Sequence, residues 1–166
     1  HRSYFDIVLT YSRCKRLTGY IAKKEVQKVP FLSVWMQYLY CLFLDRENAK
    51  EGLKTILKAI EYVKNGISIF IFPEGTRNKG EELSLLPFKD GAFRIATKTG
   101  CPIVPVSLNN TADILENHFP HIKKTHVVIE YGKPIYPNEL DAETKKHIGA
   151  YVQNIVQETI NKNAEI

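Results

Sequence analysis

The hydrophobic positions of the chain follow two spacings, near-continuous runs in some segments and a period of three to four residues in others. In residues 67–72, five of the six side chains are apolar and favour β-structure. This run predicts a strand buried on both faces, as in the middle of a parallel sheet. Four further strands are predicted, at residues 19–22, 40–44 and 103–108 and, from alternating apolar and polar residues, at 125–131.

Helices are predicted in five segments, most clearly where apolar residues recur every three to four positions. The clearest covers residues 47–64 and is followed by Gly66, which is placed to end it. The others are the first residues of the chain, 30–38, 89–99 and 141–161. Alternating strands and helices indicate an α/β fold, a single domain with a mostly parallel mixed sheet flanked by helices. The residues predicted to face inward are Ala49, Leu53, Ile56, Leu57, Ile60 and Val63 in 47–64, Ala92, Phe93 and Ala96 in 89–99, and Ile148, Tyr151, Val152, Ile155, Val156 and Ile160 in 141–161.

The composition is that of an ordinary globular domain, with 44% hydrophobic and 25% charged residues among 166. It excludes disordered and fibrous proteins. The net charge of +5 favours an anionic partner, which leaves a phosphorylated substrate, nucleic acid and an anionic membrane surface as alternatives. The three cysteines lie far apart and lack the spacing of metal ligands, so they indicate a reducing compartment.

No run of about 18 apolar residues occurs, so no membrane-spanning helix is expected within the chain. The longest apolar stretch, residues 31–44, is interrupted by polar side chains and is interpreted as core. An interfacial role for Phe31, Trp35 and Tyr38 is the alternative. The chain opens on His1 rather than Met and shows no signal peptide, which is expected of a piece of a longer protein.

The first candidate chemistry follows the apolar run at 67–72. Pro73 ends the predicted strand because it has no N–H to donate to a neighbouring strand. A carboxylate, a flexible turn residue, a hydroxyl and a guanidinium then follow one another. Open α/β sheets bind ligands at the carboxyl ends of their strands, so this turn is a candidate site. The alternative is a solvated turn with a Glu–Arg surface pair. The residues of the turn are Glu74, Gly75, Thr76 and Arg77.

A second candidate lies at the start of the chain. Ser3 followed three residues later by Asp6 is a capping-box pattern, which predicts that a helix begins there. With His1 ahead of the helix and Asp6 in its first turn, the carboxylate can reach the imidazole. One ring nitrogen would then keep its proton and the other would serve as a general base. The alternative is that Asp6 only caps the helix and His1 is a surface residue.

Three cations follow, or nearly follow, predicted strands: Lys23, Arg46 and Arg77. The carboxyl ends of parallel strands meet at one edge of a sheet, so these side chains are expected to converge there. Arginine binds phosphate through a fork of two N–H donors and lysine binds it as a point charge, so the set suits a phosphomonoester. Three separate strand-end cations are the alternative.

Several common active-site motifs do not occur. Without G-x-S-x-G a serine hydrolase is disfavoured, and without G-x-G-x-x-G or G-x-x-x-x-G-K-[ST] dinucleotide and P-loop sites are disfavoured. His118 and His121 flank Phe119-Pro120, and the proline makes a helical metal-binding face improbable. We therefore expect no metal site.

Four segments, taken in order, resemble the motifs of the glycerolipid acyltransferase family, typified by 1-acylglycerol-3-phosphate acyltransferase. HRSYFD at residues 1–6 is similar to the family's H-x-x-x-x-D motif, and FLDR at 43–46 to its motif ending in Asp-Arg. FPEGTR at 72–77 matches the third motif residue for residue, and IVPVSL at 103–108 resembles the apolar-proline motif. The likeness extends over residues 1–136.

This resemblance implies transfer of a fatty acyl group from acyl-CoA or acyl-carrier protein to the sn-2 hydroxyl of lysophosphatidate. The product is phosphatidate, an intermediate of phospholipid biosynthesis, and the reaction needs no cofactor or metal. Residues 1–166 are expected to be the catalytic domain, without the family's N-terminal membrane-associating segment. The expected location is the cytoplasmic face of a membrane, with a lysophosphatidate-type acceptor, the acyl donor and the membrane surface as partners and no nucleic acid.

The resemblance also implies a role for each matched residue. His1 is the general base and Asp6 orients it. Arg77, Lys23 and Arg46 hold the acceptor's phosphate. The remaining substrate-binding residues are Glu74, Gly75 and Thr76 at the acceptor and Pro105 on the acyl side. Two alternatives stay open: an acyltransferase for glycerol-3-phosphate or another lysophospholipid, and a non-catalytic module that binds anionic lipid.

Overall fold

The strands of the computed structural model, which describes all 166 residues, fall into two hydrogen-bonded groups. The first is a parallel sheet with β1 (Thr18–Lys23) in the centre and β2 (Leu42–Leu44) and β3 (Ser68–Phe70) on either side. The second is an antiparallel pair, β4 (Val106–Asn109) with β5 (Val128–Tyr131). Helices connect the parallel strands, so the predicted α/β fold with a mostly parallel sheet flanked by helices is confirmed. The antiparallel pair forms a second sheet, so the prediction of one mixed sheet is wrong.

Six α-helices and five short 3-10 helices accompany the strands. None of them combines the length and the hydropathy that crossing a bilayer requires. The α-helices are α1 (Phe5–Tyr11), α2 (Leu32–Tyr38), α3 (Ala49–Lys64), α4 (Arg94–Thr99), α5 (Ala142–Lys146) and α6 (Ile148–Asn163). The 3-10 helices are Lys24–Lys28, Asp90–Phe93, Thr111–Ile114, Glu116–His118 and Pro137–Glu139.

The prediction of a central, doubly buried strand at residues 67–72 is wrong. β3 pairs only with β1, which takes the central position, and the apolar side chains of β3 are half-buried. β3 also lines a large cavity. The strand predicted at 103–108 begins later, after Pro105, which has no N–H to donate.

Two helix predictions also need correction. The single helix predicted at 141–161 is two helices, because the backbone leaves helical geometry at His147 (φ −117°, ψ 34°). Ala49, Leu53 and Leu57 of α3 and Tyr151 of α6 are exposed, although they were predicted to face inward. Ala59, which is fully buried, marks the inward side of α3.

The hydrophobic core is centred on α6. Four of its side chains, spaced four residues apart, form a buried stripe that packs against Phe93. Phe93 is one of the residues predicted to face inward from 89–99, and Ala96 of α4 is also buried. The end of α3 is set by Gly66, which has a left-handed φ of 81° as predicted. The stripe on α6 consists of Ile148, Val152, Val156 and Ile160.

β1 passes unusually close to Tyr40, which lies two residues before β2. A Cβ at Gly19 would lie 2.1 Å from the carbonyl oxygen of Tyr40. We expect Gly19→Ala to lower the free energy of unfolding by about 3 kcal/mol, since backbone atoms on both sides must move apart. Urea denaturation measures this loss. Gly91→Ala is the matched control, because no atom lies within 4 Å of its added Cβ. Equal stabilities of the two variants would contradict the prediction.

Candidate active site

The carboxylate of Asp6 organises the start of the chain. It is fully buried in the first turn of α1, and its Oδ2 accepts from His1 Nδ1 at 2.7 Å. The same oxygen accepts from the backbone N–H groups of Arg2 (2.7 Å) and Ser3 (3.0 Å). The bond to Ser3 is half of the predicted capping box; the Ser3 hydroxyl accepts from Phe5 rather than from Asp6. These three donors fix the carboxylate in one place.

The imidazole of His1 is held on two sides. Its ring stacks on Phe72 with the centroids 4.0 Å apart and the planes 18° apart. Because a carboxylate only accepts hydrogen bonds, Nδ1 carries a proton, and in the neutral imidazole Nε2 then has the free lone pair. Nε2 makes no hydrogen bond within the protein, and the side chain keeps 14% of its exposure. The predicted His–Asp contact is therefore present, with Nε2 left for a ligand.

α1 is attached to the central strand by a short polar chain. The hydroxyl of Thr10 donates to the carbonyl oxygen of Asp6 at 2.6 Å and pairs with the hydroxyl of Tyr20 in β1 at 2.8 Å. Burial raises the pKa of Tyr20, so this phenol stays neutral. These hydrogen bonds fix the position of the His–Asp pair relative to the sheet.

The turn after β3 closes around the start of the chain. The buried carboxylate of Glu74 accepts from the backbone nitrogen of His1 and from the N–H of Leu86, the latter at 2.9 Å. The N–H of Asn78 donates to the carbonyl oxygen of His1 at 2.7 Å. Gly75 has a left-handed φ of 75°, which lets the chain turn sharply between these contacts. The alternative of a solvated Glu–Arg turn is excluded for Glu74.

Arg77 lies over the ring of Tyr4, with its guanidinium carbon 3.8 Å from the ring centroid. It donates to the Tyr4 hydroxyl at 3.0 Å and to Glu116 at 3.4 Å. A guanidinium has five N–H donors, so donors remain for an anionic ligand. Tyr4 lies three residues after His1, and Asn78, the residue after Arg77, donates to the His1 carbonyl oxygen, so Arg77 and the imidazole lie at the same end of the molecule.

The other predicted cations are placed differently. Arg46 follows β2 and donates to the carbonyl oxygen of Gly75, so it joins the turn. Lys23 ends β1 at the same edge of the sheet but is exposed and makes no hydrogen bond or ion pair. Thr76 is exposed, and its hydroxyl has no partner. The structure therefore brings together His1, Asp6, Arg46, Glu74, Gly75 and Arg77, and it leaves Lys23 and Thr76 in solvent.

Two further residues belong to this region and were not predicted. The side chain of Lys89 passes close to Gly75, where an added Cβ would lie 3.3 Å from its Nζ. Glu116 accepts from the N–H of Tyr4 at 2.8 Å as well as from Arg77. Lys89 is the first residue of the helix predicted at 89–99, but no pattern in that segment points to a role for it. Glu116 lies in an irregular polar segment with no pattern that could have identified it.

An apolar cavity of about 570 Å³ adjoins the His–Asp pair. This volume is within the range of about 300–1,000 Å³ typical of small-molecule sites. The cavity is lined mainly by hydrophobic side chains of β3, of the segment before β4 and of α6. His1, Phe72 and Glu74 contribute to its wall, as does the buried Pro105. A hydrocarbon chain in the cavity would therefore reach the imidazole.

The chemistry that this site can perform follows from its imidazole, its cations and its apolar cavity. A neutral imidazole oriented by a buried carboxylate can take a proton from a hydroxyl, and cations beside it can hold an anionic group. An apolar cavity on the same wall suits the tail of an amphipathic molecule.

The chain belongs to the Acyltransferase family, whose family model matches residues 1–109. It is 36% identical to the 1-acyl-sn-glycerol-3-phosphate acyltransferase of Saccharomyces cerevisiae, an alignment that covers 100% of this chain and 54% of that protein. Its identity to the enzyme of the same name from Escherichia coli is 29%, covering 96% of this chain and 64% of the relative.

Among solved structures, the chain resembles the crystal structure of the 1-acyl-sn-glycerophosphate (LPA) acyltransferase PlsC from Thermotoga maritima. The TM-score is 0.80 at 28% sequence identity, and the match covers 99% of this chain and 64% of the other. The chain thus spans between 54% and 64% of the length of these three proteins.

Proposed function

We propose that residues 1–166 are the catalytic domain of an enzyme that acylates the sn-2 hydroxyl of 1-acylglycerol-3-phosphate to give phosphatidate. The donor is a fatty acyl thioester, acyl-CoA or acyl-carrier protein. The observation that carries the proposal is the free Nε2 of His1 at the wall of an apolar cavity. The names of the relatives from yeast and from Escherichia coli support the choice of acceptor.

The reaction follows from the orientation of His1. Nε2 takes the proton from the acceptor hydroxyl as its oxygen attacks the thioester carbonyl. The new C–O bond replaces the C–S bond, and the imidazolium then gives its proton to the departing thiolate. Asp6 keeps Nδ1 as the donor and stabilises the imidazolium, since it lies 2.7 Å away. No covalent enzyme intermediate, cofactor or metal is needed for this sequence of steps.

The acceptor's phosphate is proposed to bind at the turn after β3. Arg77 and Arg46 supply forked donors there, and Lys23 and Lys89 add positive charge. Glu74 shapes the turn from inside by accepting from the N–H of Leu86. Gly75 and Thr76 leave its outer side open.

The acyl group is proposed to occupy the cavity, with its reacting carbonyl next to His1. The buried Pro105 and the apolar residues of β3 surround this space. Burying each CH₂ group of a hydrocarbon chain contributes about 0.8 kcal/mol, so a long chain gains substantial binding energy there.

The enzyme is further proposed to act at the cytoplasmic face of a membrane. Its acceptor and product are bilayer lipids. All three cysteines, Cys14, Cys41 and Cys101, are free thiols, which is typical of a reducing compartment.

Thiol release from acyl-CoA tests the proposal. Release should depend on lysophosphatidate and be accompanied by phosphatidate formation. A panel with glycerol-3-phosphate and with other lysophospholipids separates the alternative acceptors. A module that only binds anionic lipid would release no thiol with any of them, and that result would overturn the proposal.

Arg77→Ala should raise KM for lysophosphatidate about 10- to 100-fold, the equivalent of one charge-assisted hydrogen bond of about 1.5–3 kcal/mol. KM for acyl-CoA should change much less. Initial rates over a range of acceptor concentrations measure both. The acceptor KM of Arg77→Lys should lie between that of the parent protein and that of Arg77→Ala, because lysine keeps the charge but lacks the forked donors of arginine. Lys79→Ala, two residues along on an exposed position, is the matched control. An unchanged acceptor KM in Arg77→Ala would reject phosphate binding by Arg77.

A further inference from the structure

Helix α2 turns its apolar side outward. We call Phe31, Trp35 and Tyr38 the aromatic face; they are 90%, 57% and 80% exposed. Their spacing of four and three residues puts them on one side of the helix. Ser33 is buried on the opposite side. The expectation that residues 31–44 are core is therefore wrong for α2. Contiguous exposed apolar surface of this kind marks an interaction site.

The backbone at Phe31 is strained. Its φ of 62° and ψ of −47° are rare for a bulky residue, and the N–H of Leu32 donates to the carbonyl oxygen of Pro30 at 2.6 Å. This geometry is the positive-φ γ-turn, the rarer and more strained of the two kinds. The ring gains no burial in return. Strain of this kind persists at functional sites, so the exposed ring points to a ligand outside the chain.

Positive charge flanks the aromatic face on the side of the active site. Residues 23–28 contain three lysines and one glutamate, a net charge of +2 (three minus one). Lys24 forms an ion pair with Asp45 at 2.7 Å, and the hydrogen bond lowers the pKa of Asp45. The next residue, Arg46, donates to Gly75 in the active site. Lys23 and Lys28 form no ion pair and are available to an anionic surface.

We propose that the aromatic face enters the interfacial layer of a bilayer that contains anionic phospholipid. Tryptophan and tyrosine favour this layer, because their rings are apolar at one end and polar at the other. The lysines of residues 23–28 then meet the headgroups. The inference rests on the proposed function in one respect: an acceptor that resides in the bilayer reaches the site most directly if this edge of the sheet faces the membrane.

The fluorescence of Trp35 tests the proposal directly, because it is the only tryptophan in the chain. Vesicles of phosphatidylcholine with phosphatidylglycerol should shift its emission to shorter wavelength. The shift should be smaller with phosphatidylcholine alone and should weaken with salt. Unchanged emission with the anionic vesicles would overturn the proposal. A blue shift that grows with protein concentration in the absence of lipid would also overturn it, because a second copy would then cover the face.

Phe31→Gly separates a membrane role from a structural one. Glycine adopts the positive φ without strain, so the free energy of unfolding should stay the same or rise. Affinity for the anionic vesicles should fall about tenfold or more, as expected for the loss of a buried phenyl ring. Leu17→Ser is the matched control, because Leu17 is an exposed apolar residue just before β1, at the opposite edge of the sheet. Equal affinity of the Phe31 variant and the parent protein would reject the proposal.

Vesicle binding is measured without an acyl donor, so it does not depend on catalysis. If the emission of Trp35 shifts as expected but no thiol is released, this inference stands and the proposed function is rejected. If thiol is released but the emission does not shift, the proposed function stands and this inference is rejected.

Discussion

Replacing His1 by alanine should lower kcat for acyl transfer by about 10²- to 10⁴-fold, the range that a positioned general base supplies. Nε2 is the atom with a free lone pair beside the cavity, and no other imidazole belongs to the site. KM for the acceptor should change little, because Arg46 and Arg77 remain in place. The measurement is the rate of thiol release at saturating lysophosphatidate.

The matched control is His121→Ala, which removes an imidazole from an exposed position outside the site. It should keep full activity. Thermal unfolding shows whether the His1 variant is folded, since it loses the stacking contact with Phe72. A folded His1→Ala protein with turnover close to that of the parent would remove His1 as the base.

Replacing Asp6 by asparagine should lower kcat on the order of 10²-fold or more. The amide oxygen can take the place of Oδ2 and accept from the N–H groups of Arg2 and Ser3, so the local hydrogen bonds survive. The negative charge is lost, however, and the imidazolium that forms during the reaction then has no counter-charge at 2.7 Å. The measurement is kcat at saturating concentrations of both substrates, alongside the free energy of unfolding.

This variant also decides between the two interpretations of Asp6. Asparagine is as good as aspartate at the start of a helix, so a purely capping role predicts full activity. Asp6→Ala is the companion variant. It leaves two backbone donors without a partner, and we expect it to lower the free energy of unfolding by about 1–3 kcal/mol as well as kcat. Full activity in the folded asparagine variant would contradict the catalytic role.

Local patterns in the sequence were sufficient to predict much of the fold and the pairing at the start of the chain. α3 was predicted from its period of apolar residues, and its end from Gly66, because glycine readily adopts the positive φ at which helices end. His1 and Asp6 are five residues apart, so their contact depends only on how one helix begins. Interactions within about one turn of helix are encoded by nearby residues, which is why such predictions succeed.

Other parts of the structure depend on contacts that the sequence does not display. Arg77 meets Glu116, 39 residues away, in a segment without periodicity. The apolar runs at β3 and α2 have the same appearance as core segments, although one lines a cavity and the other faces solvent. Apolar side chains occur wherever the chain contacts hydrocarbon, whether that hydrocarbon belongs to the protein or to a ligand. Hydropathy alone therefore does not distinguish a core segment from a ligand-binding one.

The cavity beside β3 has a consequence for the energetics of the whole domain. In the free protein, side chains of β3 and α6 that line it have fewer van der Waals neighbours than a filled interior would give them. A bound fatty chain would supply those missing contacts and so would contribute to the packing of the protein interior. Binding of the fatty chain to the folded domain would then raise its melting temperature, to an extent that depends on ligand occupancy.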